Sequence, residues 1–235
     1  ALFWSSSIIV VVDGFSPARK NLRDTSSASV IKLAAFTSTQ LSAAPASQVW
    51  VLPTEEEVTK AVHQLVEKAA EEAIDARGHF ALAIPGGSVL KVLSSLNPSS
   101  DWASKTTLAY VNHKCVPNDD LSSAIHAKAR NMFLDRWGLT NVITLDGTDD
   151  ASAESSAYQA KLEALSPDIL PRSTDGVPIF DLALIGVGDD GHIGSLYPNR
   201  DEINEKERWA IGVEMKSPPS ITLTLPVMLN AKQAV

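Results

Sequence analysis

The feature that most limits the possible fold of this chain is a set of short apolar runs that end directly at glycines. Phe80–Ile84 is apolar at every position and leads at once into Pro85-Gly86-Gly87-Ser88. Residues 182–185 are also apolar, and a stretch containing Gly186, Gly188 and Gly191 follows them. A strand that is apolar on both faces must be covered on both faces. These runs therefore predict buried strands of a largely parallel sheet, whose chemistry lies at the carboxyl ends of the strands.

Segments with helical spacing alternate with the strands. Apolar residues recur every three or four positions over residues 54–76, where Thr54 and Glu57 form a capping-box pattern and Gly78 follows the last turn. Further helices are predicted over residues 122–137 and 152–165 and from residue 227 onward. Further strands are predicted at 49–52, 107–111, 141–145, 209–213 and 221–226. The alternation predicts an α/β fold with a doubly wound, mainly parallel sheet and helices on both faces.

Composition excludes several classes of protein. The formal net charge is −8, which argues against a general nucleic-acid binder but leaves room for a small anionic substrate held by local positive potential. Cys115 is the single cysteine, so a disulfide framework and a cysteine-based zinc site are excluded. No apolar run approaches the roughly 18 residues that a membrane span needs.

The first 47 residues differ in composition from the rest. An apolar patch at residues 8–12 has the size of a signal-peptide core, and the following stretch is rich in Ser, Thr and Ala, with Arg and Lys but almost no acid. This composition is typical of an organellar transit peptide. We expect residues 1–47 to be a targeting extension, with the plastid as favoured destination and the cytoplasm as the alternative, and residues 48–235 to be the folded domain. A plain extension, or a short ordered arm packed on a partner, would have the same composition.

The glycine-rich stretch after residue 185 holds the most promising chemistry. Asp189, Asp190 and His192 lie among its glycines. Glycine lets the backbone approach a ligand closely, and histidine is the side chain best suited to move a proton near neutral pH. The alternative is a glycine-rich loop with an incidental histidine.

Two other strand ends carry candidate binding groups. Gly86, Gly87 and Ser88 lie between a strand and a helix, where free backbone N–H groups and a hydroxyl favour an anion. The same residues also suit a tight turn in which Ser88 only caps the helix. Lys114 follows the strand at 107–111. It either presents a cation to a substrate or is a solvated loop residue.

With these segments in order, residues 49–235 resemble the 6-phosphogluconolactonases, which belong to a wider group that includes glucosamine-6-phosphate deaminases and has a Rossmann-like sheet. The matching segments are Gly86-Gly87-Ser88, the stretch from Gly186 to His192, and residues 221–226 followed by Asn230-Ala231. Ser195-Leu196-Tyr197-Pro198 has the lactonase form, whereas the deaminases typically have Phe-Asn-Glu-Pro after the histidine motif.

The resemblance implies hydrolysis of 6-phospho-D-glucono-1,5-lactone, a small phosphorylated sugar lactone, to 6-phosphogluconate in the oxidative pentose phosphate pathway. It implies no metal and no organic cofactor. His192 would be the general base that activates water, and Asp190 would hold and polarise that region. The residues expected to bind substrate are Gly86, Gly87, Ser88, Lys114, Gly188, Gly191 and Ser195.

The chain departs from the family pattern at three places. Asn112-His113-Lys114 stands where the family usually has Asp-Glu-Arg, and Ser220 stands where it usually has an arginine, with Lys216 the nearest cation upstream. The family also continues beyond Val235 with a Gly-x-x-Lys segment, so we expect a C-terminal part to be missing from this sequence. These departures leave open a lactonase-like protein with impaired catalysis that serves as a binding or structural subunit with a protein partner. A deaminase or isomerase is the weakest alternative, because Asn112 stands where a deaminase needs its acid.

Overall fold

The computed structural model describes residues 6–12 and 48–235, which form two β-sheets and the helices around them. The strands are β1 (Ser6–Val12), β2 (Gln48–Leu52), β3 (Phe80–Ile84), β4 (Thr106–Tyr110), β5 (Asn112–Lys114), β6 (Leu182–Ala183), β7 (Ala210–Val213), β8 (Ser220–Leu223) and β9 (Gln233–Ala234). The α-helices are α1 (Glu55–Arg77), α2 (Ser88–Ser94), α3 (Ser100–Ser104), α4 (Ile125–Ala129), α5 (Asp135–Trp137), α6 (Ala151–Glu163) and α7 (Leu225–Leu229). A π-helical turn (Arg130–Leu134) joins α4 to α5, and a 3₁₀ turn spans Asp201–Asn204.

The larger sheet is parallel throughout and has the order β2-β1-β9-β6-β3-β4. Strand β3 is buried at every position. Its large side chains, Phe80, Leu82 and Ile84, pack with α1, α2 and α5, whereas Ala81 and Ala83 face the second core cluster, which includes α6. The run that is apolar throughout is thus explained by helices on both faces, and the predicted α/β fold with a mainly parallel sheet is confirmed.

A smaller antiparallel sheet, with the order β5-β8-β7, continues from the end of β4. Val111 joins the two sheets, because its N–H donates to the carbonyl of Ile84 (2.8 Å) and its carbonyl accepts from Leu223 (2.7 Å). Register places Lys114 opposite Ser220 and Asn112 opposite Thr222. Residues 112–114 therefore form a strand rather than the loop that was one alternative for Lys114, and this strand carries polar side chains beside the end of β4.

Helix α1 forms as predicted. The Thr54 hydroxyl accepts a hydrogen bond from the N–H of Glu57 (3.2 Å), and Gly78 ends the helix with φ of 80°. Positive φ is costly for residues other than glycine, so both ends of this helix are encoded locally.

Two local predictions were wrong. The expected strand at 141–145 is reduced to a single bridge between Val142 and Leu108. The expected helix from residue 227 is already complete at Leu229 as α7, and the chain returns as β9 between β1 and β6. The free edge of β6 makes strand pairing available there, and the N–H of Val235 donates to the carbonyl of Ala183 (2.9 Å). Local propensity cannot predict strand pairing between segments that are far apart in the sequence.

A buried ion cluster ties the opposite end of the sheet together. Asp181 is 3% exposed and accepts hydrogen bonds from two guanidinium nitrogens of Arg77, from the N–H of Ala81 (2.8 Å) and from Lys232 Nζ (2.9 Å). Every oxygen of this buried carboxylate is partnered, as a stable buried charge requires. The cluster links α1, β3, β6 and the approach to β9.

The predicted targeting extension lies almost entirely outside the described residues. Within it, Ser6–Val12 forms β1, which pairs with β2 and β9. Whether residues 1–47 direct the protein to an organelle stays a prediction.

Candidate active site

The loop after β6 closes on itself and presents two titratable side chains. The N–H of Gly188 donates to the carbonyl of His192, and the N–H of Gly191 donates to the carbonyl of Gly188, both at 2.8 Å. Gly191 has φ of 82°, which favours glycine at this turn. The turn holds Asp190 and His192 at the carboxyl end of the sheet, as the sequence predicts.

Asp190 and His192 form the strongest polar contact of this loop. The His192 Nδ1 and Asp190 Oδ1 atoms are 2.5 Å apart, and the His192 N–H reaches the same oxygen at 3.3 Å. These hydrogen bonds hold the pKa of Asp190 below its usual range, so the carboxylate is ionised at neutral pH and only accepts. The proton therefore lies on Nδ1, and Nε2 of the neutral ring keeps a lone pair that can take a proton from water.

An aromatic ring and a cation extend this pair. The rings of His192 and Tyr197 lie 4.8 Å apart between centroids, and Lys216 Nζ lies 4.8 Å from the Tyr197 centroid. A hydrogen bond to the Tyr197 side chain, and to a smaller extent the negative charge of Asp190, raise the pKa of Lys216, so its ammonium stays protonated. The sequence names Lys216 only as the nearest cation to Ser220. Its neighbour Tyr197 is remote along the chain, so no motif spacing could have revealed the contact.

Ser195 joins the loop to the small antiparallel sheet. Its hydroxyl accepts hydrogen bonds from Asn112 Nδ2 (3.3 Å) and from Ser220 Oγ (3.1 Å), and its N–H donates to Thr222 Oγ1 (3.2 Å). Asn112 and Ser220 are two of the positions where the chain departs from the family's charged residues. Both departures thus meet at one hydroxyl and form a neutral cluster, which we call the Ser195 cluster (Asn112, Ser195, Ser220).

Lys114 lies on β5 beside this cluster. It is exposed and faces Ser220 across the strand pair. Within the part of the chain that the structure describes, its ammonium has no hydrogen bond or ion pair, and it makes no such contact with His192. The structure therefore leaves its ammonium available to a ligand without linking it to the histidine.

The Gly86-Gly87-Ser88 turn lies next to the His192 loop. A Cβ added at Gly186 would lie 3.9 Å from Pro85 Cγ, which shows how closely the two strand ends approach. Gly87 is the residue that caps α2, with φ of 71°, and Ser88 is the first residue of the helix with an exposed side chain. Gly87, not Ser88, therefore occupies the capping position, and the substrate-binding role of this turn stays a prediction. A Cβ at Gly86 would lie 2.8 Å from Ile125 Cδ1, so this turn packs tightly against α4.

His113 is a buried structural residue that the sequence did not single out. Its Nε2 accepts the N–H of His126 (3.0 Å) and its Nδ1 donates to the carbonyl of Lys114 (2.7 Å). Both bonds fit a neutral imidazole, and burial lowers the pKa of His113 to about 4. Through these two hydrogen bonds the ring joins β5 to the first turn of α4, the helix whose Ile125 packs on Gly86.

Within residues 6–12 and 48–235, no group of His, Cys, Asp or Glu side chains has the arrangement of a metal site. No helix in these residues is long and apolar enough to cross a membrane.

Comparison with known proteins identifies the family. The model of the family described as glucosamine-6-phosphate isomerases/6-phosphogluconolactonase matches residues 53–235. The chain belongs to this family. The 6-phosphogluconolactonases of Rattus norvegicus and Homo sapiens are each 32% identical to it over 206 residues, which are 82% of this chain and 77% of each relative.

Plant relatives are similar but longer. A protein of Oryza sativa subsp. indica named "Probable 6-phosphogluconolactonase 3, chloroplastic" is 30% identical over 76% of this chain. The match spans 58% of the rice protein, so this member of the family covers little more than half the length of that relative.

Solved structures confirm the fold. A 6-phosphogluconolactonase from Shewanella baltica OS155 superposes with a TM-score of 0.65 at 22% identity, over 77% of this chain and 76% of that chain. The 6-phosphogluconolactonase from Trypanosoma brucei gives 0.62 at 20% identity, over 77% of each chain.

Because Gly188 has no side chain, the His192 ring can occupy the space beside it. A Cβ added there would lie 2.2 Å from His192 Nδ1, whereas at Gly186 it would meet only Pro85 at 3.9 Å. We expect Gly188→Ala to displace the imidazole and break its bond to Asp190, and Gly186→Ala to preserve that bond. Crystal structures of the two variants measure the Nδ1–Oδ1 distance. An intact bond in Gly188→Ala would contradict this role of the glycine.

Burial of His113 makes stability depend on pH. The folded-state pKa of about 4 lies below the ordinary 6.5, so between these values the unfolded chain binds a proton that the folded chain excludes. The contribution of the neutral His113 ring to the free energy of unfolding is complete above pH 6.5 and is lost as the pH falls toward 4. We expect the free energy of unfolding from urea titrations to fall by about 2 kcal/mol more between pH 7 and 4.5 in the parent chain than in His113→Gln.

The comparison of slopes assigns the effect to His113 and the residue bonded to it. Burial also lowers the pKa of His79, which is retained in the variant and cancels in the difference, whereas His126 donates its N–H to His113 and helps to lower its pKa, so the difference reports this pair. Parallel stability curves for parent and variant would show that His113 is not the source.

Proposed function

We propose that this chain hydrolyses 6-phospho-D-glucono-1,5-lactone to 6-phosphogluconate. The observation that carries the proposal is the contact between Asp190 and His192 Nδ1, which leaves Nε2 as a base at the carboxyl end of a parallel sheet. Relatives named 6-phosphogluconolactonase, at 32% identity over most of the chain, support the same substrate.

The reaction needs one positioned base. His192 Nε2 takes a proton from water while the water oxygen bonds to the lactone carbonyl carbon, and the electron pair of the C=O bond moves to the carbonyl oxygen. When the C=O bond re-forms, the bond from this carbon to the ring oxygen breaks and the ring oxygen takes the proton from the imidazolium. The product acid then releases a proton to solvent as 6-phosphogluconate. A lactone is a reactive ester, so general-base catalysis of roughly 10²–10⁴-fold accelerates its hydrolysis without a covalent nucleophile.

Asp190 has a positioning role in this scheme. Its carboxylate fixes the tautomer of His192 and stabilises the imidazolium while the ring holds the proton. Gly188 and Gly191 shape the turn that makes this contact possible.

We assign substrate binding to the turns around the histidine. Strands β6, β3 and β4 are neighbours in the parallel sheet, so the loops that follow them meet at one edge. This arrangement supports a phosphate-binding role for Gly86, Gly87 and Ser88, with Lys114 as a cation and the Ser195 hydroxyl as a donor to a sugar oxygen.

We also propose that residues 1–47 target the chain to a plastid and that residues 48–235 form the catalytic domain. Support comes from the basic, hydroxyl-rich composition and from the word chloroplastic in the names of the rice and Arabidopsis thaliana relatives. The rat and human names carry no such word, so the cytoplasm stays the alternative.

One observation favours a second candidate function. In the Ser195 cluster, Ser220 stands where the family usually has an arginine, and the loss of this cation weakens the pull on an anionic substrate. A lactonase-like subunit that binds a partner without turnover would tolerate this loss.

Hydrolysis assays separate the two candidates. The purified chain is given freshly prepared 6-phosphoglucono-δ-lactone, and product is measured against the spontaneous rate. We expect His192→Gln to lower kcat/KM by about 10²–10⁴-fold, because it removes the base. His63→Gln is the matched control, since this histidine lies on α1 and contacts the Val92 carbonyl. A parent chain no faster than the spontaneous reaction would exclude the lactonase and leave the binding subunit.

A further inference from the structure

The loop between β7 and β8 brings a cation to the aromatic ring that packs on the proposed base. Lys216 lies in this loop, and its Nζ is 4.8 Å from the centroid of the Tyr197 ring. That ring is in turn 4.8 Å from the ring of His192. Successive contacts therefore connect four side chains, in the order Lys216, Tyr197, His192 and Asp190.

The ammonium is charged and open to solvent. Tyr197 and Asp190 raise the pKa of Lys216, and the residue is exposed. Among residues 48–235, no carboxylate lies within salt-bridge distance of its Nζ. The Tyr197 ring is only 9% exposed, so it gives the cation a fixed surface to rest on without neutralising its charge.

We propose that Lys216 stabilises the negative charge that develops on the lactone carbonyl oxygen. This role rests on the proposed lactonase function. As His192 Nε2 takes the proton from water, the C=O electron pair moves to oxygen, and the ammonium donates a hydrogen bond to that oxyanion. When the C=O bond re-forms the charge disappears, and Lys216 keeps its proton throughout.

Lys216 suits this role better than the other cation at these strand ends. Lys114 lies on β5, and in the described residues no hydrogen bond, ion pair or ring contact joins it to Tyr197 or His192. Lys216, by contrast, contacts the ring that packs on His192, and the charge of Asp190 contributes to its raised pKa, so the ammonium lies within electrostatic reach of the Asp190–His192 pair. Fixed charge directed at a developing oxyanion acts on the transition state more than on the bound substrate.

Three variants of the full chain test the proposal. Lys216→Met keeps an unbranched apolar stem over Tyr197 and removes the charge, Lys216→Arg keeps the charge, and Lys60→Met removes a charge from the exposed face of α1. We expect Lys216→Met to lower kcat for 6-phosphogluconolactone by about 10²-fold with KM changed less than about threefold. Lys216→Arg should retain kcat within about tenfold, and Lys60→Met should match the parent.

The outcomes distinguish this role from others. A raised KM with kcat unchanged would make Lys216 a phosphate anchor and overturn the proposal, as would an unchanged kcat or an equal loss in Lys60→Met. A parent chain without activity would overturn the lactonase function itself, and the role of Lys216 with it. Thermal unfolding of each variant checks that the fold is kept, and if Lys216→Met does not fold, Lys216→Gln is judged by the same kcat criterion.

Discussion

Parallel pairing of β6, β3 and β4 is the constraint on which the rest of the structure depends. Because the three strands run in one direction, the turns after them meet at one edge. A Cβ added at Gly186 would come within van der Waals contact of Pro85 there, and Val111 carries the chain from this edge into the antiparallel sheet. A shift in register of β3 would separate the glycine turn from the histidine loop and turn its large side chains to the wrong face.

Local features of the sequence predict the elements that build this edge. The uniform apolar run of β3 requires helices on both faces, and the capping pattern at Thr54 sets the start of α1. The glycine spacing around residue 190 predicts a turn that holds Asp190 and His192 together. Where β9 forms, the sequence predicts helix, because the pairing of β9 with β6 is a long-range property that no local pattern carries.

The candidate site is less accessible to sequence reasoning than the fold. His192 and Asp190 are two residues apart, so a motif finds them. Lys216 contacts Tyr197 only because the β7–β8 loop places it there. His113 is a neutral residue that joins β5 to α4 only because the fold buries it. Asn112 and Ser220 are far apart in the sequence, yet both donate to the same Ser195 hydroxyl. Replacing both charged partners by neutral ones avoids an unpaired charge in a half-buried place.

The account depends most on the claim that Asp190 fixes the tautomer of His192 and leaves Nε2 free as a base. Nitrogen-15 NMR of the histidine-labelled chain at pH 8 tests this directly, with His192→Gln used to assign the resonance. The account predicts that Nδ1 of His192 carries the proton and Nε2 does not, and that Asp190→Asn loses this preference. A proton on Nε2 in the parent chain would contradict it, because no lone pair would then face the water.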